Sequence, residues 1–178
     1  MATEPIVYPW YSRLKSDEPI QQGDIITDCQ LVQPCIEAKE TNQQLDADLK
    51  ISDIIIMSQS CDLLAKKISL VSVCPIFTLT ELGEKFADYH QPGMKEKLRK
   101  GWIVGYHLLN KCSIRDNEDY LVVDFKNVYG VPLAFLEKLA YSRKNRIRLL
   151  PPYREHLSQA FARFFMRVGL PIDIPSFK

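Results

Sequence analysis

Five consecutive residues, Ser58-Gln59-Ser60-Cys61-Asp62, put two hydroxyls, an amide, a thiol and a carboxylate directly after the apolar run Ile54-Ile55-Ile56-Met57. Polar groups that leave a rigid strand are well placed for binding, because a scaffold fixes them where the chain meets solvent. As a nucleophile, Cys61 needs a base or cation to favour its thiolate, and His107 is the candidate base. Asp62 works against that chemistry, since an adjacent negative charge raises a thiol's pKa. The same residues also suit a plain turn, with Ser58, Ser60 and Asp62 accepting hydrogen bonds from backbone amides. Turn, ligand site and cysteine-centred enzyme or redox sensor all stay open here.

A second constellation is basic. Arg143, Lys144, Arg146 and Arg148 crowd one segment, and Lys95, Lys97, Arg99 and Lys100 another. On a strand, Arg146 and Arg148 share a face and are spaced to meet two successive phosphates. The alternative is a solvated surface or an acidic patch on the same molecule. The charges are unevenly spread: residues 1–94 carry 7 basic and 14 acidic side chains and residues 95–178 carry 16 and 8, or −7 and +8. Folding can intermix the halves, so this imbalance alone names no partner.

Other chemistries lack their signatures. There is no glycine-rich phosphate loop, no His-Glu-x-x-His and no Gly-x-Ser-x-Gly. Cys29, Cys35, Cys61, Cys74 and Cys112 form no Cys-x-x-Cys pair, and His90, His107 and His156 are scattered. Neither a metal nor a cofactor is expected. An odd number of thiols without a secretory leader fits a reducing, cytoplasmic setting.

These groups need a scaffold. A chain of 178 residues, 46% hydrophobic and 25% charged, is expected to fold as one domain with its own core. No apolar run is long enough for a membrane span. Residues 1–22, with Pro5, Pro9 and Pro19 around Trp10 and Tyr11, read as an extended arm with a short strand at Ile6–Tyr8. A strand is expected from Ile25 to about Val32, ended by Pro34, followed by a polar surface loop over Glu37–Lys50. Asp53–Ser58 reads as a strand buried on both faces and Ile68–Phe77 as the next. Helices are expected at Leu79–Tyr89, Met94–Lys100 and Leu133–Ala140, and strands at Gly101–Leu109, Tyr120–Phe125 and Arg146–Leu150, with a hairpin turn over Asn110–Asp119. Leu157, Ala160, Phe161, Phe164, Phe165 and Val168 recur with helical period, predicting a C-terminal amphipathic helix over 151–169. Pro152 suits its first turn, and Gly169 with Pro171 its end. Many short strands with few helices make an α+β domain: a small, strongly bent antiparallel roll over 23–150 with inserted short helices.

The element order resembles the PemK/MazF-like toxin family, an SH3-like barrel. The likeness rests on Gly23-Asp24-Ile25-Ile26, Ile54-Ile55-Ile56-Met57-Ser58, Val71-Ser72-Val73-Cys74-Pro75-Ile76 and Leu121-Val122-Val123-Asp124. Arg146 and Arg148 follow them, ahead of the last helix. The resemblance implies a bacterial toxin–antitoxin or antiviral-defence setting, a partner protein from a neighbouring gene or RNA, and a homodimer. RNA-cutting members resemble one another in an Arg-Pro pair before the strand matching Asp53–Ser58, where this chain has Lys50-Ile51-Ser52. They also present Thr or Ser soon after the Pro-Ile element, where Phe77 intervenes and delays Thr78 by one position. The expectation is therefore a non-catalytic or degenerate recognition subunit that binds through Ser58, Gln59, Ser60, Cys61, Asp62, Arg146 and Arg148. The alternative is a metal-independent endoribonuclease of single-stranded RNA using Thr78, Lys50 or Arg148 in a rearranged site.

Overall fold

Three isoleucines in a row cannot alternate inside and out, so Ile54, Ile55 and Ile56 demand an apolar layer on both faces of their strand. The computed structural model describes residues 8–34, 47–112, 118–143 and 146–166, and there all three isoleucines are fully buried. Their strand, β3 (Ala47–Ile56), lies between β2 (Asp24–Pro34) and β4 (Leu70–Thr78). The remaining strands are β1 (Tyr11–Leu14), β5 (Tyr106–Cys112), β6 (Asp119–Asp124), β7 (Tyr129–Pro132) and β8 (Arg146–Leu149). The helices are α1 (Ser60–Leu64), α2 (Leu79–Lys85), α3 (Pro92–Arg99), α4 (Leu133–Ser142) and α5 (Tyr153–Phe165).

Every strand pairing among the described residues is antiparallel, in the order β1-β8-β2-β3-β4-β6-β5, with β7 beside β4. β4 pairs β3 as far as Pro75 and β6 from Ile76 onward. The proline thus falls where the strand changes partner and a missing donor costs least. β2 carries an extra residue between Ile26 and Cys29, with Asp28 at φ 54°. Such a bulge bends a strand and increases its twist.

The two faces bury different sets. Ile25, Ile55, Cys74, Ile76, Leu109, Val123, Ile147 and Leu149 gather under α5, joined by Trp10 and Tyr11. Ile26, Leu31, Ile54, Ile56, Val71 and Val73 face α4 through Leu136 and Ala140. One cluster therefore draws on every strand along the sheet path. The path itself is open: β1 and β5 share no backbone ladder, although the Tyr11 hydroxyl donates to the Asn110 carbonyl at 2.7 Å. The fold is a mixed α and β one with a bent antiparallel sheet, and backbone closure into a barrel is not seen.

Several expectations need correcting. Ala47–Lys50 belongs to β3 and not to a loop, because Leu31 and Val32 extend the pairing outward. The arm supplies a true strand in Tyr11–Leu14, held against β8. Gly101–Gly105 is a turn, with Gly101 at φ +68° and Trp102 66% exposed, so β5 begins only at Tyr106. The expected Leu79–Tyr89 helix breaks at Phe86 into α2 and a 3-10 turn over Ala87–His90. Phe165 at the end of the C-terminal stripe is exposed. Residues 1–7, 35–46, 113–117, 144–145 and 167–178 lie outside the described residues, taking with them most of the Ile6–Tyr8 strand, the Glu37–Asp46 loop, part of the hairpin turn and the end of the C-terminal helix. No helix among the described residues is long and apolar enough to cross a membrane.

Candidate functional site

The Ser58–Asp62 segment leaves β3 and turns at once into α1. Side chains fasten it rather than capping it locally. Ser58 Oγ accepts the Ser72 amide at 2.9 Å, and Ser60 Oγ accepts the Gln22 amide at 3.1 Å. The buried Gln22 amide side chain donates to the Met57 carbonyl at 2.7 Å. The two serines thus satisfy amides on β4 and on the chain entering β2, not those of their own turn. A loop tied to two neighbouring segments is held in one conformation, as binding groups require.

A cleft of about 450 Å³ opens beside this loop. Gln22, Ser58, Gln59, Asp62 and Ser72 form its polar side, with Ser158, Phe161 and Ala162 of α5 opposite. Asp62 is the one charged side chain in this lining. Among the described residues its carboxylate receives only the weak Cys61 thiol contact at 3.9 Å, and the Gln59 side chain makes no cap hydrogen bond to α1. Both groups stay available to a ligand. Cys61 itself is exposed and does not line the cleft.

The arginines do not line this cleft and are buried against Asp24. β8 pairs with β2 so that Arg148 stands directly opposite Asp24. Arg148 clamps the carboxylate with two donors, its Nη2 to Oδ2 at 3.0 Å and its Nε to Oδ1, and reaches the Pro19 carbonyl at 2.8 Å. Arg146 lies 3.5 Å from Asp24 Oδ2, and both side chains are wholly buried. Its Nη2 donates to the Glu18 carbonyl, leaving Nε and Nη1 without hydrogen-bond partners. Burial raises the Asp24 carboxyl above its ordinary range, against the pull of Arg148, Arg146 and the Gln21 amide. Burial likewise holds Arg146 below its ordinary value. Two cations and one anion therefore pin the chain at Glu18–Gln21, and neither guanidinium is presented to a phosphate. The Arg-x-Arg spacing marked the shared face correctly. Asp24 is the partner that strand alternation alone does not reveal, because it stands opposite Arg148 only through the pairing of β8 with β2.

Among the described residues no hydrogen bond, ion pair or ring contact joins the candidate catalytic groups to one another. Thr78 Oγ1 caps α2 by accepting the Glu81 amide at 3.1 Å, while Glu81 accepts the Thr78 amide at 2.6 Å. Lys50 stands across from Leu31 on the outer half of the β2–β3 hairpin. His107 stacks on Phe125 with ring centroids 6.0 Å apart, and among the described residues no hydrogen bond or electrostatic contact links it to Cys61. No group of three or more His, Cys, Asp or Glu able to hold a metal is found among the described residues.

His107 lies near His156 and Arg163 of α5. Burial pushes its pKa down to about 4, helped by the nearby positive charges of His156 and Arg163. A depressed folded-state value means the native protein prefers neutral imidazole. Its contribution is complete above the unfolded value of about 6.5 and is lost as pH falls toward 4. Unfolding titrations of wild type and His107→Gln between those limits are expected to differ by about one bound proton. Equal slopes would contradict it.

No protein-family model matches the chain, and no curated protein matches it. The site is read from its own geometry.

Proposed function

We propose that this chain is a non-catalytic recognition subunit that takes a basic side chain of a partner protein into the cleft between the β3–α1 loop and α5. One observation carries this reading: a cleft of mixed lining, with Met57, Ile68, Leu70 and Phe161 beside its polar residues, whose one charged lining residue is Asp62. A carboxylate against a partly apolar wall attracts ammonium or guanidinium groups and repels phosphates. That favours a protein partner over RNA, as does the burial of Arg146 and Arg148 against Asp24. Phe161 offers the aromatic wall on which a long aliphatic or guanidinium stem rests.

Kinship with PemK/MazF-like barrels belongs to the same proposal. It is supported by the antiparallel sheet, by one core cluster that draws on every strand of the path, and by the Tyr11 bridge between its two ends. A partner encoded nearby, in a toxin–antitoxin or antiviral-defence setting, follows from that kinship. Cleavage of RNA has less support, because the Thr78 hydroxyl is used as a helix cap and Arg148 is committed to Asp24.

Asp62→Lys is expected to weaken the complex with the partner by about tenfold to a hundredfold, as reversal of a complementary charge does. Calorimetric titration checks this, and circular dichroism should be unchanged because the Asp62 side chain supports no other element. Unaltered affinity would remove the cleft from recognition. Purified protein is expected to leave single-stranded RNA intact in EDTA at high protein excess. Cleavage abolished by Thr78→Ala would restore the endoribonuclease.

A further inference from the structure

The outer half of β3 runs past its neighbour. β4 pairs with β3 only through Ile54–Ile56, whereas β2 accompanies it out to Ala47. From Ala47 to Ser52 the edge of β3 away from β2 meets no strand among the described residues. The hairpin's outward face is apolar where solvent would call for polar groups: Val32 is 62% exposed, and Leu49 and Ile51 are each 65% exposed. Val32 lies directly across from Leu49, so these side chains make one continuous strip. Native proteins block such edges with charge, commonly lysine, because an open edge with an apolar face templates pairing with another chain. Lys50 would serve as that block, except that Asp48 stands two residues away on the same face.

We propose that two copies of this chain pair edge to edge through Ala47–Ile51, antiparallel about a two-fold axis at Leu49. A two-fold axis normal to the sheet keeps each face on its own side, so the register must centre on a residue. The sequence Ala47-Asp48-Leu49-Lys50-Ile51 discriminates sharply between the choices. Centring on Asp48 sets carboxylate against carboxylate, and centring on Lys50 sets ammonium against ammonium. Centring on Ile51 leaves Lys50 against Ser52 and Leu49 against Asp53. Centring on Leu49 places Asp48 opposite Lys50 twice, Ala47 opposite Ile51 twice, and leucine on leucine. Each cross-strand pair is then favourable, and the Val32–Leu49–Ile51 strips of the two copies join into one face. The segment is its own complement. It lies at the far end of β3 from the cleft, so the cleft stays open in the dimer.

Sedimentation equilibrium across the micromolar to millimolar range tests this on the full chain. Wild type is expected to pass from monomer to dimer. Asp48→Lys and Lys50→Asp should each weaken dimerisation by about tenfold or more, since both opposed pairs become like-charged. The double variant D48K/K50D restores both pairs in reversed sense and should return to within about twofold of wild type. Leu49→Arg, at an exposed position that the fold does not need, should leave the protein monomeric. A wild type that stays monomeric throughout, single variants that dimerise like wild type, or a double variant as weak as the singles would each overturn the proposal.

Discussion

Asp24→Ala is expected to lower the free energy of unfolding by about 3–5 kcal/mol, the cost of removing one partner from a buried ion pair. The variant strands Arg146 and Arg148 side by side on β8 without Asp24, and Nε and Nη1 of Arg146 already lack hydrogen-bond partners. Both guanidinium groups also hold carbonyls of the Glu18–Pro19 turn, so the chain entering β2 should loosen as well. Asp24→Asn keeps the size and loses the charge, and should retain part of the stability through its remaining hydrogen bonds. Urea unfolding near neutral pH measures the difference. A loss below about 1 kcal/mol would mean that the arginines find solvent and that the cluster is not buried as described.

Phe125→Ala is expected to be as damaging, by about 3–5 kcal/mol, and its effect should reach the cleft. Phe125 is 1% exposed, lies edge-on to Phe161 at 5.3 Å between centroids, and stands 6.2 Å from Phe164. These are the contacts that seat α5, whose Ser158, Phe161 and Ala162 form one wall of the cleft. On the same helix, Leu157 is fully buried and Tyr153 stacks on Trp10 with ring centroids 3.6 Å apart. Removing the phenyl ring opens a void that α5 cannot collapse into without tearing the Trp10–Tyr153 stack. Hydrogen exchange along α5 should quicken, and partner affinity should fall without any change to Asp62. Unchanged α5 protection would show that the helix is held by its ends alone.

Much of the fold is legible in the chain because the strongest patterns are local. The unbroken run Ile54–Met57 admits few environments other than a doubly covered strand, and the Leu157–Phe161–Phe164 spacing gives the face of α5. Tyr11–Leu14 and Tyr129–Pro132 are missed because strands of four residues are too short to show a period beside prolines and aromatics. Trp102 and Val104 mislead for a different reason. They alternate as a strand would, yet both are exposed in a turn set by Gly101. At the site, Ser58–Asp62 stands out because polar residues follow a buried strand without a break. The opposing wall is invisible at that level, since Ser158 and Phe161 lie about a hundred residues away. Arg146 and Arg148 show the limit most clearly. Alternation tells that they share a face, but only the pairing of β8 with β2 tells that the face turns inward onto Asp24.

Photo-crosslinking tests recognition at the cleft most directly. A benzophenone side chain at position 59, on the cleft rim, is compared in the native host with one at position 135 on α4. Position 59 is expected to yield a single protein adduct that disappears when Asp62 is changed to lysine, while position 135 yields none of it. An adduct indifferent to Asp62, equal capture from both positions, or covalent capture of RNA in place of protein would contradict the account.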